Sequence, residues 1–158
     1  MPCNNNLNKL EVLHIQGNDS LIEVMEIRRQ VFIVGMGIPK SLEVDGLDTE
    51  ADHFLAMSNE LPVGTVRIRY IYNETVKLER CAVLRDFRRR GIGSLLVKSC
   101  INFATDSGIT TITLNSQLDA VNFYKTFGFR SVGNTFIEAG IKHVKMVLTN
   151  KSATSQVS

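Results

Sequence analysis

The chain has 158 residues, 44% apolar and 22% charged, with a formal net charge of +2. That length fits one domain able to bury a core, and the composition is ordinary for a globular protein. So small a charge excludes nucleic-acid binding by bulk positive field, and with no run of about 18 apolar residues no membrane span is expected.

In chain order, residues 1–8 are Asn-rich and read as a flexible N-terminus. The start, "MPCNNNLNKL", lacks a basic patch followed by an apolar stretch, so no signal peptide is expected. "KLEVLHI" (9–15) alternates like a strand. Ser20 with Glu23 three residues on predicts a capping box, and Leu21, Val24, Met25, Val31 and Phe32 continue at helical spacing. "VGMGIPKS" (34–41) must end that helix, and 42–51 reads as an acidic loop. "HFLAMS" (53–58), "VGTVRIRYIY" (63–72) and "VKLERCAVL" (76–84) predict a three-stranded antiparallel meander. Gly91 to Ser107 is amphipathic and helical, stopped by Gly108. "ITTITLN" (109–115) is strand-like, and "LDAVNFYKTFG" (118–128) is a short helix. "FRSVG" (129–133) and "HVKMVL" (143–148) close the order as two strands around a loop, "NTFIEAGIK". Residues 149–158 read as a polar tail. The fold class is therefore α/β, β-α-β-β-β-α-β-α-β-β, with a mixed sheet and one domain over 9–148.

The three cysteines, Cys3, Cys81 and Cys100, form neither a CxxC nor a Cys/His metal pattern. A reducing cytoplasm is the expected compartment, and no metal is expected. The chemistry concentrates at "ERCAVLRDFRRRGIGSLLVK" (79–98), where a strand hands over to a helix through Arg88, Arg89, Arg90, Gly91, Ile92, Gly93 and Ser94. A helix N-terminus carries unpaired N–H groups and a partial positive charge, and glycines there admit a close anion. The stretch suits a diphosphate. It is not a Walker loop, because GxxxxGK[ST] is absent, and GxGxxG is absent as well. The arginines lack the aromatic interleaving of a nucleic-acid binder.

"LERCAVLRDFRRRGIGSLLVKSCINFA" resembles the acetyl-CoA signature of the GNAT superfamily of N-acetyltransferases, its [QR]-x-x-G-x-[GA] element falling on Arg88, Gly91 and Gly93. "LNSQLDAVNFYKTFGF" resembles the superfamily's second cofactor segment, on Asn115, Asn122, Phe123, Tyr124, Gly128 and Phe129. The likeness spans roughly residues 9–148, and the strand order matches that fold, a mostly antiparallel central sheet flanked by helices. "IRRQVFIVGMGIP", "DGLDTEADHFLA" and "FIEAGIKHVKM" resemble a subgroup of small bacterial-type members whose acceptors are mostly unassigned. Where that subgroup usually has Glu-Gln, this chain has Gly35 and Met36, and so lacks a polar pair that could face the acceptor.

The resemblance implies transfer of acetyl from acetyl-CoA, as co-substrate, to a primary amine. The main chain of Cys81, Ala82 and Val83 would pair with the pantetheine arm like an added strand, and the Val83 N–H would stabilise the oxyanion. Amides of residues 89–94 would cradle the pyrophosphate. Tyr124 is the expected general acid toward the CoA thiolate. For the general base Glu79 comes first: strict alternation puts Lys77, Glu79, Cys81 and Val83 on one face. A salt bridge to Lys77 or to a neighbouring strand's arginine is its other reading. His143 and His53 follow as bases, since imidazole titrates near neutral pH. Asn115 and Asn122 offer amides to the cofactor. Cys81 reads as a buried structural thiol. The acidic loop 43–52 either draws a cationic amine or is solvated surface. Acceptor candidates are a protein lysine or N-terminus, a polyamine or an amino sugar, and relatives of this kind often form homodimers. The alternative is a non-catalytic acyl-CoA-binding sensor or partner domain, told apart by thiol release from acetyl-CoA in an amine panel.

Overall fold

The computed structural model describes residues 9–149, so the expectations for residues 1–8 and for most of the tail lie outside it. The elements are β1 (Leu10–Gln16), α1 (Ile22–Arg28) continued by a π-helical stretch (Arg29–Gly35), α2 (Lys40–Glu43), β2 (Asp52–Ser58), β3 (Leu61–Tyr72), β4 (Thr75–Val83), α3 (Ile92–Asp106), β5 (Thr111–Gln117), α4 (Val121–Lys125), β6 (Arg130–Glu138) and β7 (Ile141–Thr149). One seven-stranded sheet runs in the order β1-β2-β3-β4-β5-β7-β6. Only the β4–β5 pair is parallel; every other pair is antiparallel. The expected α/β class, meander and mixed sheet are all present.

Period-2 alternation gives the sheet two apolar faces. Phe54, Val66, Ile68, Val76, Leu78, Leu114 and Met146 pack beneath α3, which contributes Leu96, Val97 and Cys100. Leu55 and Ala82 face the other way, onto Val24, Ile27 and Val31 of α1 and its π-helical continuation. These are called the α3 face and the α1 face below.

Three local expectations are corrected. The capping box does not form: α1 begins at Ile22 with Leu21 at its cap and no side-chain cap bond. Asp19 turns back instead, its N–H bonding the Gln16 carbonyl and its Oδ2 accepting from the Gln16 N–H at 3.1 Å. The "NTFIEAGIK" loop is a hairpin, β6 and β7 running on to Glu138↔Ile141. Its two-residue turn is Ala139 and Gly140 at φ 49° and 75°, the left-handed pair that a tight hairpin requires.

The third correction concerns the acidic loop, which is not a solvated face. Glu43 and Asp48 are buried, with 2% and 8% of their surface exposed. Arg28 of α1 donates from Nε to Glu43 Oε1 at 2.5 Å and from Nη1 to Asp48 Oδ1 at 2.5 Å. Buried Arg67 of β3 reaches Asp45 (2.7 Å), Asp48 (3.0 Å) and Glu79 (2.6 Å). Two arginines thus staple the 40–48 segment onto the α1 face. Burial disfavours the Arg67 charge, but the three carboxylates more than offset it and raise its pKa further.

Removing one partner of a buried pair strands the others. Arg67→Ala is therefore expected to lower stability by about 3–5 kcal/mol in urea unfolding, well beyond Arg69→Ala at the network's half-exposed rim. Glu79 is held at about 2 against an ordinary 4.5. Its contribution is complete above pH 4.5 and disappears as pH falls toward 2. Wild-type melting temperature should drop over that window, and a flat profile there would contradict the network's role.

Candidate acyl-transfer site

The site is built by a bulge. Arg67 pairs with Glu79 and Thr65 with Ala82, so Val66 alone faces both Arg80 and Cys81. Arg80 takes up the extra residue at φ 56°, a conformation uncommon outside glycine. The bulge reverses the alternation of β4. Before it Leu78 points to the α3 face; after it Ala82 points to the α1 face, and Cys81 and Val83 to the α3 face. The expectation that Glu79 shares a face with Val83 is thereby overturned, since alternation holds only in an unbulged strand.

The bulge also coincides with the parting of two strands. β4 pairs with β5 only through Thr75, Val76 and Lys77, opposite Thr111, Ile112 and Thr113. Beyond that point they diverge around a cavity of about 410 Å³, lined on one side by residues 77–81 and on the other by 114–117. Leu84 N–H donates to the Val63 carbonyl at 2.9 Å. In extended backbone the preceding Val83 N–H therefore points away from β3, to the side β5 has left.

A second cavity, about 280 Å³, lies at the start of α3 between Val83, Arg88, Gly91, Gly93, Ser94 and Phe123. Gly91 is the N-cap at φ 79°, no side chain caps the helix, and the first return bond is Leu95 N–H to the Gly91 carbonyl. The N–H groups of Ile92, Gly93 and Ser94 thus have no partner within the helix. Arg89 is left-handed too, at φ 62°, and turns of this kind line up N–H groups around an anion. A Cβ on Gly91 would meet nothing within 4 Å, so the space beside it is open. Arg88 Nε donates to the Val83 carbonyl at 3.0 Å, and the Arg90 guanidinium lies 5.1 Å from the Phe87 ring. Ile92 has its side chain buried in the core, leaving only its main chain for binding.

Tyr124 of α4 lines the larger cavity from the α3 face, amid the Phe123 and Phe129 rings at 5.0 and 5.9 Å. Its hydroxyl interacts with the Cys81 thiol. Burial, then Cys81, push the Tyr124 hydroxyl well above its ordinary value, so it keeps its proton. Burial pushes the Cys81 thiol up to about 11, which leaves it a packing group without nucleophilic character.

Glu79 lines the cavity but has no lone pair to spare. Oε2 accepts from Arg67 (Nε 3.0 Å, Nη2 2.6 Å) and Arg69 (Nε 2.8 Å), and Oε1 from Arg69 (2.9 Å), with Lys77 Nζ at 3.3 Å. Burial opposes its charge, yet Arg69 and Arg67 win and hold the carboxyl at about 2. It behaves as the salt-bridged member of its two readings. His53 lies elsewhere, buried on the α1 face and outside both cavities, its Nε2 donating to the Asp48 carbonyl at 3.0 Å. Burial keeps it neutral.

His143 lines the larger cavity. Its Nδ1 lies 2.7 Å from the Ile141 carbonyl, which can only accept, so Nδ1 carries a hydrogen, and its Nε2 stands 3.8 Å from Glu138 Oε2, also in the cavity wall. Val144 and Met146 pack on the α3 face, so alternation puts His143 on the α1 face. Tyr124 and His143 therefore flank the parted strands from opposite sides. Asn115 lines the same cavity, whereas Asn122 is exposed on α4 and lines neither. Sequence reasoning missed Arg80, which lines the larger cavity beside Glu43 of the acidic loop; Phe123 of the second cofactor segment lines the smaller one. The αL bulge that turns Arg80 inward has no glycine to announce it.

A sheet split beside an uncapped helix start leaves unpaired main chain in two adjoining places, the second of them suited to an anion. Comparison with known proteins agrees. A profile of the acetyltransferase (GNAT) domain matches residues 20–150. A Bacillus subtilis protein named as an acetyltransferase is 35% identical over 147 residues, spanning 91% of this chain and 99% of its own. The N-acetyltransferase YjcF of the same organism is 34% identical over 84% of this chain and 94% of its own. Escherichia coli ElaA superposes with a TM-score of 0.80 at 25% identity, over 88% of this chain and 99% of its own. A GNAT acetyltransferase from Elizabethkingia anophelis, solved with acetyl-CoA bound, superposes at 0.71 with 17% identity, over 89% and 98%. The chain belongs to the GNAT acetyltransferase family, a family of acyltransferases.

The expected anion grip is main chain, so a carboxylate introduced there should weaken donor binding while the fold survives. Gly93→Asp and Gly91→Glu place a carboxylate where an anion would sit, and each should weaken acetyl-CoA binding at least about tenfold by calorimetry. Unchanged affinity in folded variants would refute the assignment.

Proposed function

We propose that this protein is an N-acetyltransferase that moves an acetyl group from acetyl-CoA directly onto a primary amine. The observation that carries the reading is the parted β4–β5 junction, with a protonated phenol on one face and an imidazole on the other. Acetyl-CoA, when bound, supplies an acetyl group activated as a thioester. The amides of Ile92, Gly93 and Ser94, with the turn through Arg88, Arg89, Arg90 and Gly91, hold its diphosphate. The main chain of Cys81, Ala82 and Val83, released by β5, hydrogen-bonds its extended arm, and Asn115 adds an amide from the opposite strand. The Val83 N–H steadies the carbonyl oxygen as negative charge grows there.

Only a free amine attacks a thioester, so an ammonium acceptor must first lose a proton. His143 Nε2 takes it. Glu79, ranked first by sequence, gives way because its oxygens are already bonded to two guanidiniums. Tyr124 holds the proton that the departing thiolate sulfur takes up. The acid stands on the α3 face and the base on the α1 face, so donor and acceptor enter from opposite sides of the sheet. The reaction needs no metal.

His143→Ala should lower kcat/KM about 100-fold and remove the acidic limb of its pH profile, because a base works only unprotonated. Glu79→Gln should keep that limb, whatever it does to stability; the reverse pattern would return the role to Glu79. Tyr124→Phe should reduce kcat by about 100-fold with acetyl-CoA affinity unchanged. Full turnover by that variant at saturating acetyl-CoA would end the acid assignment, and absence of acetyl-CoA binding by well-folded protein would end the transferase reading.

A further inference from the structure

The acceptor side of the larger cavity contains two charged groups with unmet bonds. Glu43, 2% exposed, spends Oε1 on Arg28, and its Oε2 is buried with no partner among the described residues. Arg80 spends Nη2 on the carbonyls of Leu42 and Glu43 and on Asp45 Oδ2, at 3.2 to 3.3 Å, while its Nε is buried and likewise unpartnered. The two line the same cavity as Tyr124 and His143. They do not satisfy each other, for Arg80 Nε stands 3.6 Å from Glu43 Oε1, beyond hydrogen-bond length. Both sit on the α1 face, the side assigned above to the acceptor.

Buried polar atoms without partners are rare, because each forfeits its bonds to water. Here one needs a donor and the other an acceptor, side by side, in a backbone held left-handed at Arg80. Strain of this kind persists mainly where function requires it. The ion-pair network around them sets Arg28, Arg67, Arg69, Arg80 and Lys77 against Glu43, Asp45, Asp48 and Glu79. A ligand with only a donor or only an acceptor would leave one of the two atoms unmet. A group bearing an ammonium and a carboxylate on one carbon meets both with charge-assisted bonds and adds no net charge.

We propose that Glu43 and Arg80 bind the α-amino-acid head of the acceptor, ammonium on Glu43 Oε2 and carboxylate on Arg80 Nε, and that the acceptor is a free diamino acid whose side-chain amine receives the acetyl group. The inference rests on the reading of the previous subsection for the reaction, but the head-binding pair stands on its own geometry. A cavity of about 410 Å³ is of the size that encloses a small molecule. A lysine within a protein carries no such zwitterion and has no use for the pair.

The test separates the two claims. L-norleucine has the head without the side-chain amine, and n-pentylamine has the chain without the head. By calorimetry, norleucine should bind wild-type protein, and pentylamine at least about tenfold more weakly. Glu43→Gln and Arg80→Met, each checked for folding by circular dichroism, should each weaken norleucine about tenfold and leave acetyl-CoA affinity unchanged. In turnover, L-lysine or L-ornithine should exceed the matching diamine, cadaverine or putrescine, by about 100-fold in kcat/KM, with the ratio collapsing in either variant. Norleucine that fails to bind, or binds both variants as well as wild type, overturns the head site. Diamines that match the amino acids as acceptors overturn the acceptor class. Loss of acetyl-CoA binding alone overturns the transferase reading and leaves the norleucine result to judge the pair.

Discussion

The parting of β4 from β5 is the constraint on which the site depends. A continuous sheet would bond the Cys81 and Val83 amides to a neighbouring strand and leave nothing for a ligand. Here pairing stops at Lys77 and Thr113, and the main chain beyond is left without a neighbouring strand on that side. An opening in a sheet is tolerable only if both sides are braced. The core beneath α3 braces one face, with Leu78, Leu114 and Met146 packed on Leu96 and Cys100. On the other face the brace is ionic: Arg28 and Arg67 hold the 40–48 segment against the sheet.

That division explains why each face is chemically distinct. The α3 face is apolar and raises the Tyr124 and Cys81 pKa values by burial, which suits a group that must give up a proton only to a strong base. The α1 face is full of paired charge, and most of its carboxylates are committed to guanidiniums. Commitment of this sort ties up both oxygens of Glu79, while Glu43 keeps one buried oxygen without a partner among the described residues.

Much of this was legible in the chain. The amphipathic period of 92–106, the β-branched 111–115 and the meander before them set the architecture, and Arg88-Arg89-Arg90-Gly91-Ile92-Gly93 marked the helix start. What escaped notice depends on contacts between distant segments. Glu43, Asp45 and Asp48 look like a solvated acidic loop until Arg28 and Arg67, 15 to 22 residues away, are folded onto them. The bulge at Arg80 was hidden because its residue is neither Gly nor Asn, and strict alternation then misassigned the face of Glu79. Ser20 failed as a cap because Asp19 had already turned the chain.

The bond from Arg88 Nε to the Val83 carbonyl has a metric consequence. It ties the tip of β4 to the turn that opens α3, so the donor amide of Val83 and the bare amides of 92–94 ride on one stiff segment. Their separation works as a ruler. In the proposed reaction, a thioester on a longer or shorter tether would hold its tail correctly and bring its carbonyl to the wrong rung, so tether length would be screened before the nature of the acyl group.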